Sequence, residues 1–419
     1  THDLYEPFQS AYRSGHSTET AVLRVQNDIL RAIDDGNCVF LVLLDLSAAF
    51  DTVSHNIILK RLSSRYGIQG NAIKWVESYL TRRSQSVLVA GRYSEPAILK
   101  YGVPQGSVLG PTFFTDYSAP VAALIRAHGV SVQCYADDTQ LYVSFSPSDE
   151  AAALAKLEGC IADLRTWMNK NRLKLNDSKT EFIIFGTKSR LSKVKTKSVR
   201  IGEEEIKATE KVRNIGALFD SEMKMDTQVK NMCRSAWLNL YNIGKIRKYL
   251  TVEQAKTVVH AYVTSKIDAN NALLGGITFE LKSDLQRVQN AASKVITGYK
   301  KHDHVTPLLY NLHWLPVEDR IHYKILLLSF KALNNEGPVY LKDLLNVYKP
   351  PLNLRSADDP LTLSISKTTL VTYGDRAFSV LAACEWNKLP LQIRSAASVK
   401  SFKSQLKTYL FEKRYNKKD

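Results

Sequence analysis

Residues 132–145, VQCYADDTQLYVSF, decide how the rest of this sequence is interpreted. Two short runs of β-forming residues flank the pair Asp137-Asp138, which predicts two strands joined by a tight turn. Adjacent carboxylates repel each other and form turns poorly compared with Asn-Gly or Asp-Gly. A bound divalent cation would remove that penalty. The alternative is a solvated turn that happens to contain two aspartates.

A second informative stretch lies upstream, in residues 39–46, VFLVLLDL. Its near-continuous apolar character predicts a central, buried strand, with Asp45 held rigidly at the strand end. If this strand packs beside the predicted hairpin, two or three carboxylates converge on one point. Such hard oxygen ligands suit Mg²⁺, which usually binds one or two carboxylates together with substrate phosphates. Two such ions can activate a 3′-hydroxyl and stabilise a leaving pyrophosphate.

Between these stretches lies a loop rich in glycine and proline, residues 101–111, YGVPQGSVLGP. It separates a strand pattern from a helix pattern. We expect it to expose backbone N–H groups and to place Gln105 against a bound ligand. An ordinary turn is the alternative, because a glycine-rich loop alone is a weak signal.

The other patterns predict alternating helices and strands up to about residue 187, and mainly helices from about residue 226. Ser146 is predicted to cap a helix that carries an apolar stripe. The basic segment 188–200 contains no acidic residue and is predicted to be an exposed, mobile hairpin or linker. The remaining predicted elements are a strand at 181–185, amphipathic helices containing 281–295 and 321–333, and a basic helical tail at 399–418.

The chain is strongly basic, with a net charge of +16 and a pI near 9.4. A phosphate-bearing partner or an anionic membrane would explain this excess, and a basic but solvated surface is the alternative. The five cysteines lie far apart without a CxxC pair. Their spacing argues against a zinc site and a disulfide framework, and therefore favours a reducing compartment. No apolar run approaches the ~18 residues that a membrane span requires.

Six segments, in their order and spacing, resemble the motifs of reverse transcriptases. With two further segments, the whole chain resembles the polymerases of LINE-type (non-LTR) retrotransposons. The resemblance runs over nearly the full length. The segments are FQSAYRSGHST at 8–18, LDLSAAFD at 44–51, GVPQGSVLGP at 102–111, YADD at 135–138, LNDSKTEF at 175–182, VRNIGAL at 212–218, HWLP at 313–316 and GDRAF at 374–378.

The resemblance implies an α+β, right-hand polymerase fold. Partial fingers and palm would occupy residues 1–225, a helical thumb or connection 226–348, and a mostly helical, basic C-terminal region 349–419. The chain starts with Thr just before the finger motif. We therefore expect a fragment of a longer protein, without the N-terminal endonuclease and the first finger segments of such elements.

The resemblance also assigns the catalytic residues. Asp45 and Asp137 would be the principal ligands of two Mg²⁺ ions, which Mn²⁺ can replace. Asp138 would be a neighbouring acid, and the main-chain carbonyl of Leu46 would add an oxygen ligand. Lys179 matches the lysine proposed to protonate the leaving pyrophosphate, and a surface lysine is the alternative.

Four positions are implied to contact the incoming nucleotide. Phe50 matches the steric gate, where an aromatic ring would clash with a ribose 2′-hydroxyl; a core aromatic is the alternative. Gln105 and Gly106 match residues that border the nucleotide and the templating base. Arg13 resembles a finger residue that contacts the triphosphate, and a purely structural arginine is the alternative.

The basic cluster Lys245, Arg247 and Lys248 lies near a predicted helix end and is a candidate for contacts with template or primer phosphates. The implied partners are an RNA template, a DNA primer or target, and dNTPs. We expect no membrane partner, and the sequence names no protein partner. The family implies an intracellular location, in nucleus and cytoplasm, for which the sequence carries no signal.

The leading interpretation is therefore an RNA-directed DNA polymerase, that is, a nucleotidyltransferase. One rival is a catalytically inactive, polymerase-derived nucleic-acid-binding protein, against which the intact aspartates count. The other is a viral RNA-dependent RNA polymerase. Those polymerases generally carry Gly-Asp-Asp where this chain has Ala136-Asp137-Asp138, and Phe50 favours dNTPs.

Overall fold

The computed structural model describes residues 4–300, 302–348 and 361–416. The chain divides into two compact units. The first unit comprises Thr1–Ser17, Cys38–Ile184 and Ser189–Glu210, and the second comprises Thr18–Asn37, Phe185–Lys188 and Lys211–Asp419. Helices and strands are both abundant, so the predicted α+β class is confirmed.

The strands are short outside the central sheet. They are β1 Cys38–Leu44, β2 Leu46–Ser47, β3 Ser84–Gln85, β4 Leu88–Val89, β5 Arg92–Tyr93, β6 Ala97–Ile98, β7 Ser131–Tyr135, β8 Asp138–Phe145, β9 Lys174–Leu175, β10 Glu181–Phe185, β11 Ser198–Ile201, β12 Glu204–Thr209, β13 Lys211–Asn214 and β14 Ala217–Asp220. The predicted strand at 181–185 is thereby confirmed.

The helices occupy both units. They are α1 Thr18–Asp34, α2 His55–Tyr66, α3 Gly70–Leu80, α4 Leu109–Ser118, α5 Pro120–Ala127, α6 Glu150–Lys170, α7 Lys188–Leu191, α8 Asp226–Ile246, α9 Val252–Val259, α10 Ser265–Asp268, α11 Phe279–Thr297, α12 Thr306–Asn311, α13 Val317–Leu333, α14 Val339–Lys342, α15 Phe378–Asn387, α16 Leu391–Arg394 and α17 Val399–Tyr415. Short 3₁₀ segments lie at Asp177–Lys179, Arg247–Tyr249, Asn271–Leu274 and Gly374–Arg376, and a π-helix at His260–Thr264.

A six-stranded sheet forms the centre of the first unit, with the strand order β11-β12-β10-β1-β8-β7. β1 and β8 are antiparallel and pair without interruption from Cys38 opposite Phe145 to Leu44 opposite Thr139. The hairpin β7–β8 closes at the pair Tyr135 and Asp138, as the sequence pattern predicts. Helix α5 packs on β7, and α6 packs on β8 and β11.

The apolar run of β1 supplies the core of this sheet. Phe40 is fully buried. Its ring stacks on Phe145 with the centroids 4.0 Å apart, and it meets Phe182 at 5.6 Å. A strand with apolar side chains on both faces has to be covered on both faces, which explains why β1 takes a central place in the sheet.

One local prediction in the first unit is wrong, and a second is only partly right. Helix α6 begins at Glu150 with Asp149 as its N-cap, and the Ser146 hydroxyl donates instead to the Asp149 carboxylate at 2.6 Å. The basic segment 188–200 does lead into a hairpin, which β11 forms with β12, but this hairpin belongs to the central sheet and buries Val199. Because so many of its side chains are basic, the segment does not show in its sequence the alternation of polar and apolar positions that is typical of a strand.

The second unit joins the early helix α1 to much later parts of the chain. The carboxylate of Asp34 accepts hydrogen bonds from the backbone N–H groups of Thr369 and Leu370, at 2.9 and 2.6 Å. The Gln26 side-chain amide donates to the carbonyl of Leu273 at 2.9 Å. These buried polar contacts fix α1 in register, since an unpaired polar group inside the unit would cost free energy.

The helical core of the second unit agrees largely with the predicted stripes. On α11 the predicted stripe is buried except that Ile296 replaces Val295 as its last member. The rings of Phe330 on α13 and Phe402 on α17 stack with their centroids 4.1 Å apart, and Trp386 packs beside both. The predicted helices at 321–333 and 399–418 are thus present as α13 and α17.

Parts of the predicted C-terminal region, residues 349–360 and 417–419, lie outside the described residues. The proposed boundaries at 225 and 348 stay predictions. Within the described ranges, no helix combines the length and the apolar character needed to cross a bilayer.

We expect Phe40→Ala to destabilise the first unit by about 3–5 kcal/mol, because it leaves a cavity between two aromatic neighbours. Denaturant-dependent hydrogen exchange of peptides from β1 and β8 measures the change. The control is Tyr93→Ala, whose side chain is exposed and whose effect should stay within about 0.5 kcal/mol. Equal losses in the two variants would contradict the assigned core.

Candidate active site

The register of β1 and β8 brings the predicted acidic residues together. Leu44, the last residue of β1, pairs with Thr139. Asp45 directly follows Leu44 and Asp138 directly precedes Thr139, so both aspartates lie at the same end of the two paired strands. Asp137 occupies the adjoining turn, between the strand ends at Tyr135 and Asp138.

The charges of these aspartates act on one another. Partial burial, then the negative charges of Asp137 and Asp45, raise the pKa of Asp138 to about 6, although the residue keeps an exposed surface. Burial and the charge of Asp45 also raise the pKa of Asp137. Like charges placed opposite each other across two strands are destabilising, so this cluster is one that a cation would stabilise.

The carboxylate of Asp45 has two partners from the segment that follows β9. The Asn176 side-chain amide donates to Asp45 Oδ2 at 3.1 Å, and the Asn176 backbone N–H donates to the Asp45 carbonyl at 2.9 Å. Lys179 Nζ lies 3.7 Å from the same Oδ2, while its side chain is largely exposed. Lys179 is therefore beside the acidic cluster, as its motif implies, and Asn176 is a site residue that the sequence interpretation missed.

The turn that carries Asp137 has an unusual backbone. Ala136 has φ +57°, in the left-handed region that residues with a Cβ atom rarely adopt. Both backbone polar groups of Ala136 bond to the side chain of Gln9, through Gln9 Nε2 at 3.1 Å and Gln9 Oε1 at 2.9 Å. Gln9 belongs to the predicted finger motif, but sequence reasoning gave it no role.

The predicted steric gate borders the glycine-rich loop. The Val103 N–H donates to the carbonyl of Phe50 at 2.9 Å. Phe50 is half-buried and its ring stacks on Phe114 with the centroids 4.8 Å apart. The backbone of the loop passes close to the backbone of Asp51. This requires a glycine at position 102, where a Cβ atom would lie 3.0 Å from the carbonyl oxygen of Asp51. Phe50 is thus partly a packing residue and partly accessible.

Gln105 and Gly106 form an exposed turn in that loop. Gly106 has φ +77°, which glycine adopts without strain. After the turn, the Ser107 hydroxyl accepts from the N–H of Gly110 at 3.0 Å and donates to the carbonyl of Pro104 at 2.7 Å. The loop is therefore held at its base, and Gln105 and Gly106 are exposed on it; their contact with a nucleotide stays a prediction.

Arg13 braces the segment in which it lies. Its Nη1 donates to the carbonyl of Glu6 at 2.8 Å and to the carbonyl of Gln9 at 3.0 Å. The guanidinium also lies 5.3 Å from the centroid of the Tyr5 ring. These contacts favour the structural alternative for Arg13.

The basic cluster near the end of α8 divides into two kinds of residue. Arg247 donates to the carbonyls of Val295, Leu250 and Ile296, each at 2.7 Å. Its guanidinium therefore satisfies backbone carbonyls at the C-terminal end of α11. The ammonium groups of Lys245 and Lys248 instead lie over the rings of Tyr241 and Tyr249, at 4.3 and 4.9 Å, and both tyrosines are exposed.

A divalent cation fits the acidic cluster by charge. Within the described ranges, no three His, Cys, Asp or Glu side chains already converge as a ready coordination sphere. Mg²⁺ does not need one, because it commonly uses one or two carboxylates with substrate phosphates and water as further ligands. The Asp45–Asp137–Asp138 cluster has the donor chemistry for this mode of binding. Leu46, the other predicted ligand, follows Asp45 directly and pairs with Leu175.

Comparison with known proteins identifies one family over more than half of the chain. Residues 1–219 of the 419-residue chain match the family described as "Reverse transcriptase (RNA-dependent DNA polymerase)". The matched region includes the whole acidic cluster and Lys179.

The chain is also similar to curated polymerases of transposons. The probable RNA-directed DNA polymerase from transposon BS of Drosophila melanogaster is 28% identical over 323 residues, which are 75% of this chain and 35% of that protein. The one from transposon X-element of the same organism is 26% identical over 368 residues, or 85% of this chain and 39% of that protein. The chain thus spans less than two-fifths of the length of these relatives.

Among solved structures, a telomerase from Candida albicans in complex with a fragment of telomeric RNA is 13% identical, with a TM-score of 0.40. The alignment covers 81% of this chain and 51% of that one. Because both values are low, the assignment depends on the sequence matches. On those matches, the chain belongs to the reverse transcriptase (RNA-dependent DNA polymerase) family.

Proposed function

We propose that this chain is the polymerase region of a retrotransposon reverse transcriptase, which extends a DNA 3′-hydroxyl on an RNA template by two-metal-ion nucleotidyl transfer. The observation that carries the proposal is the β1–β8 register, which brings Asp45 and Asp138 to the same end of the two strands, with Asp137 in the adjoining turn. Family membership supports the same reaction.

In this proposal the acidic cluster holds the metal ions. Asp45 and Asp137 are the principal ligands, Asp138 is the neighbouring acid, and the Leu46 carbonyl adds an oxygen. Two Mg²⁺ ions, or Mn²⁺ in their place, would supply activation of the 3′-hydroxyl and charge stabilisation of the leaving pyrophosphate. The protein's part is to keep these carboxylates in fixed positions on a buried strand and a tight hairpin.

Lys179 is the proposed proton donor to the leaving pyrophosphate. Its ammonium lies 3.7 Å from Asp45 Oδ2, and its exposed side chain is free to turn from the carboxylate toward a phosphate. Asn176 keeps Asp45 in place during such a movement, because it bonds both the side chain and the backbone of that aspartate.

The nucleotide would be selected at the loop beside Phe50. The accessible edge of the Phe50 ring would meet the 2′ position of the sugar, and Gln105 with Gly106 would border the base. Arg13 retains a place in the proposal as a residue that holds the finger segment, since it donates hydrogen bonds to the carbonyls of Glu6 and Gln9 in that segment.

Residues 226–348 would act as thumb and connection, between the predicted fingers and palm at 1–225 and the predicted C-terminal region at 349–419. We assign phosphate contacts to Lys245 and Lys248, whose ammonium groups are accessible beside exposed tyrosines. Arg247 would support them structurally. The RNA template and DNA primer would then bind in a salt-dependent manner, in the nucleus and cytoplasm of the host cell.

The main alternative is a polymerase-derived protein that binds nucleic acid without catalysis. It shares the basic surface with the proposed enzyme but has no need of the acidic cluster. Primer extension on a homopolymer RNA template with purified chain, dNTP and Mg²⁺ separates the two, because only the enzyme lengthens the primer.

Asp137→Asn should lower dNTP incorporation by at least roughly 10²–10³-fold, since one charge that stabilises the transition state is lost. Affinity for RNA should change little. The control is Asp163→Asn, which alters an exposed carboxylate paired with His128 on the surface of the first unit. Incorporation by Asp137→Asn within a few-fold of the parent would refute the metal assignment.

Mg²⁺ or Mn²⁺ should raise the unfolding midpoint of the parent, because the ion relieves repulsion in the acidic cluster. At ten times the dissociation constant, one bound ion contributes about 1.4 kcal/mol of stability. Differential scanning fluorimetry with and without EDTA measures the shift. The shift should vanish in Asp45→Asn and persist in Asp163→Asn, and an equal shift in both would contradict binding at this cluster.

Phe50→Val should admit ribonucleotides, because removal of the ring opens space at the 2′ position of the sugar. The measurement is the ratio of kcat/KM for rNTP to that for dNTP. A steric filter changes this ratio by more than the ~10–200-fold typical of one methylene in a pocket. Phe114→Leu is the matched control, since it weakens the same ring stack and leaves the gate. An unchanged ratio in Phe50→Val would assign Phe50 to packing alone.

A further inference from the structure

The backbone turn before Asp137 needs an external support. Tyr135 pairs with Asp138, so Ala136 and Asp137 alone close the hairpin. Ala136 has φ +57°, a conformation that suits glycine and strains a residue with a Cβ atom. Such strain persists only where the surrounding structure over-determines it.

Gln9 supplies that support with one side chain. Its Nε2 donates to the carbonyl of Ala136 at 3.1 Å, and its Oε1 accepts from the N–H of Ala136 at 2.9 Å. The same Oε1 accepts from the N–H of Ala11 at 3.0 Å. Both Gln9 and Ala136 are more than nine-tenths buried, so water does not compete for these hydrogen bonds.

Strand β7 itself fixes the backbone that carries Gln9. Gln9 forms a parallel bridge with Cys134. The Cys134 N–H donates to the carbonyl of Phe8 at 2.8 Å, and the Ser10 N–H donates to the carbonyl of Cys134 at 3.0 Å. The side chain of Gln133 adds hydrogen bonds to the Phe8 carbonyl and to the Ser10 hydroxyl, each at 2.9 Å. The turn and its support therefore belong to one hydrogen-bonded unit.

We propose that Gln9 is a positioning residue whose carboxamide holds Ala136 in the left-handed conformation and thereby aims the carboxylate of Asp137. This inference rests on the proposed polymerase function, because it assigns a task to Asp137. Gln9 acts through the backbone of Ala136.

The chemistry of the contact explains why glutamine fits. Ala136 presents one donor and one acceptor, and a carboxamide offers the matching acceptor and donor on a single planar group. A glutamate would keep the acceptor, lose the donor and add a charge beside the acidic cluster. A leucine of similar size would lose both hydrogen bonds and leave the Ala136 N–H and carbonyl unpaired.

The decisive experiment compares Gln9→Leu with and without Ala136→Gly. Gln9→Leu should lower kcat for dNTP incorporation roughly 10²-fold, the effect of about 1 Å of misplacement at a reacting centre, with template-primer affinity little changed. Ala136→Gly should restore about tenfold or more of this loss, because glycine holds the left-handed conformation without support.

Gln133→Leu is the matched control. It removes a buried carboxamide that holds the same segment but does not contact Ala136. We expect it to lower the unfolding midpoint about as much as Gln9→Leu does, with no rescue of activity by Ala136→Gly. Equal rescue in the two backgrounds, or a Gln9→Leu enzyme within a few-fold of the parent, would overturn the proposal.

Hydrogen exchange of the Ala136 amide separates this proposal from the polymerase assignment. Exchange should speed up in Gln9→Leu and stay slow in Gln133→Leu, whether or not the chain is active. If the parent protein incorporates no dNTP but its Ala136 amide shows this exchange pattern, the polymerase assignment is refuted, whereas the role of Gln9 in holding the turn is upheld. Unchanged exchange in Gln9→Leu would refute the support itself.

Discussion

The antiparallel pairing of β1 with β8 is the constraint on which the site depends. One ladder register brings Asp45 to the strand end at which Asp138 lies, and a slip by one residue would move every side chain of β1 to the other face. The register is held by apolar burial, above all by Phe40 between Phe145 and Phe182. Packing free energy in the sheet thus opposes the repulsion that builds up where the carboxylates meet.

The same small region combines two features that act against stability. Burial, and after it the nearby charges of Asp137 and Asp45, raise the pKa of Asp138 to about 6, and Ala136 is held in a strained backbone conformation. Natural proteins retain such features at functional sites and offset them elsewhere. Here the offset comes from groups outside the hairpin, namely the Asn176 amide on Asp45 and the Gln9 carboxamide on Ala136.

Fewer basic side chains are available to contact nucleic acid than the large positive net charge of the chain suggests. Several arginines serve backbone carbonyls instead. Arg247 binds three carbonyls at the ends of neighbouring segments, and the mostly buried Arg376 donates to Gly275, Met223 and Thr372. Planar guanidinium groups suit this work because they offer five donors in a fixed arrangement. Lysines such as Lys245 and Lys248, on exposed aromatic rings, are the better candidates for phosphate contact.

The sequence by itself determined the elements whose signal is local. The apolar run of β1, the Asp-Asp hairpin, the stripe of α11 and the motif order follow from periodicity and residue type, which report how one segment is buried. Tertiary structure alone decided which segments meet. It assigned α1 to the second unit through Asp34, paired the basic segment into the sheet as β11, and brought Gln9 and Asn176 to the acidic residues. The physical reason is that these contacts join polar groups that are distant along the chain. The sequence around a polar side chain does not indicate which distant group it will bond to in the folded protein.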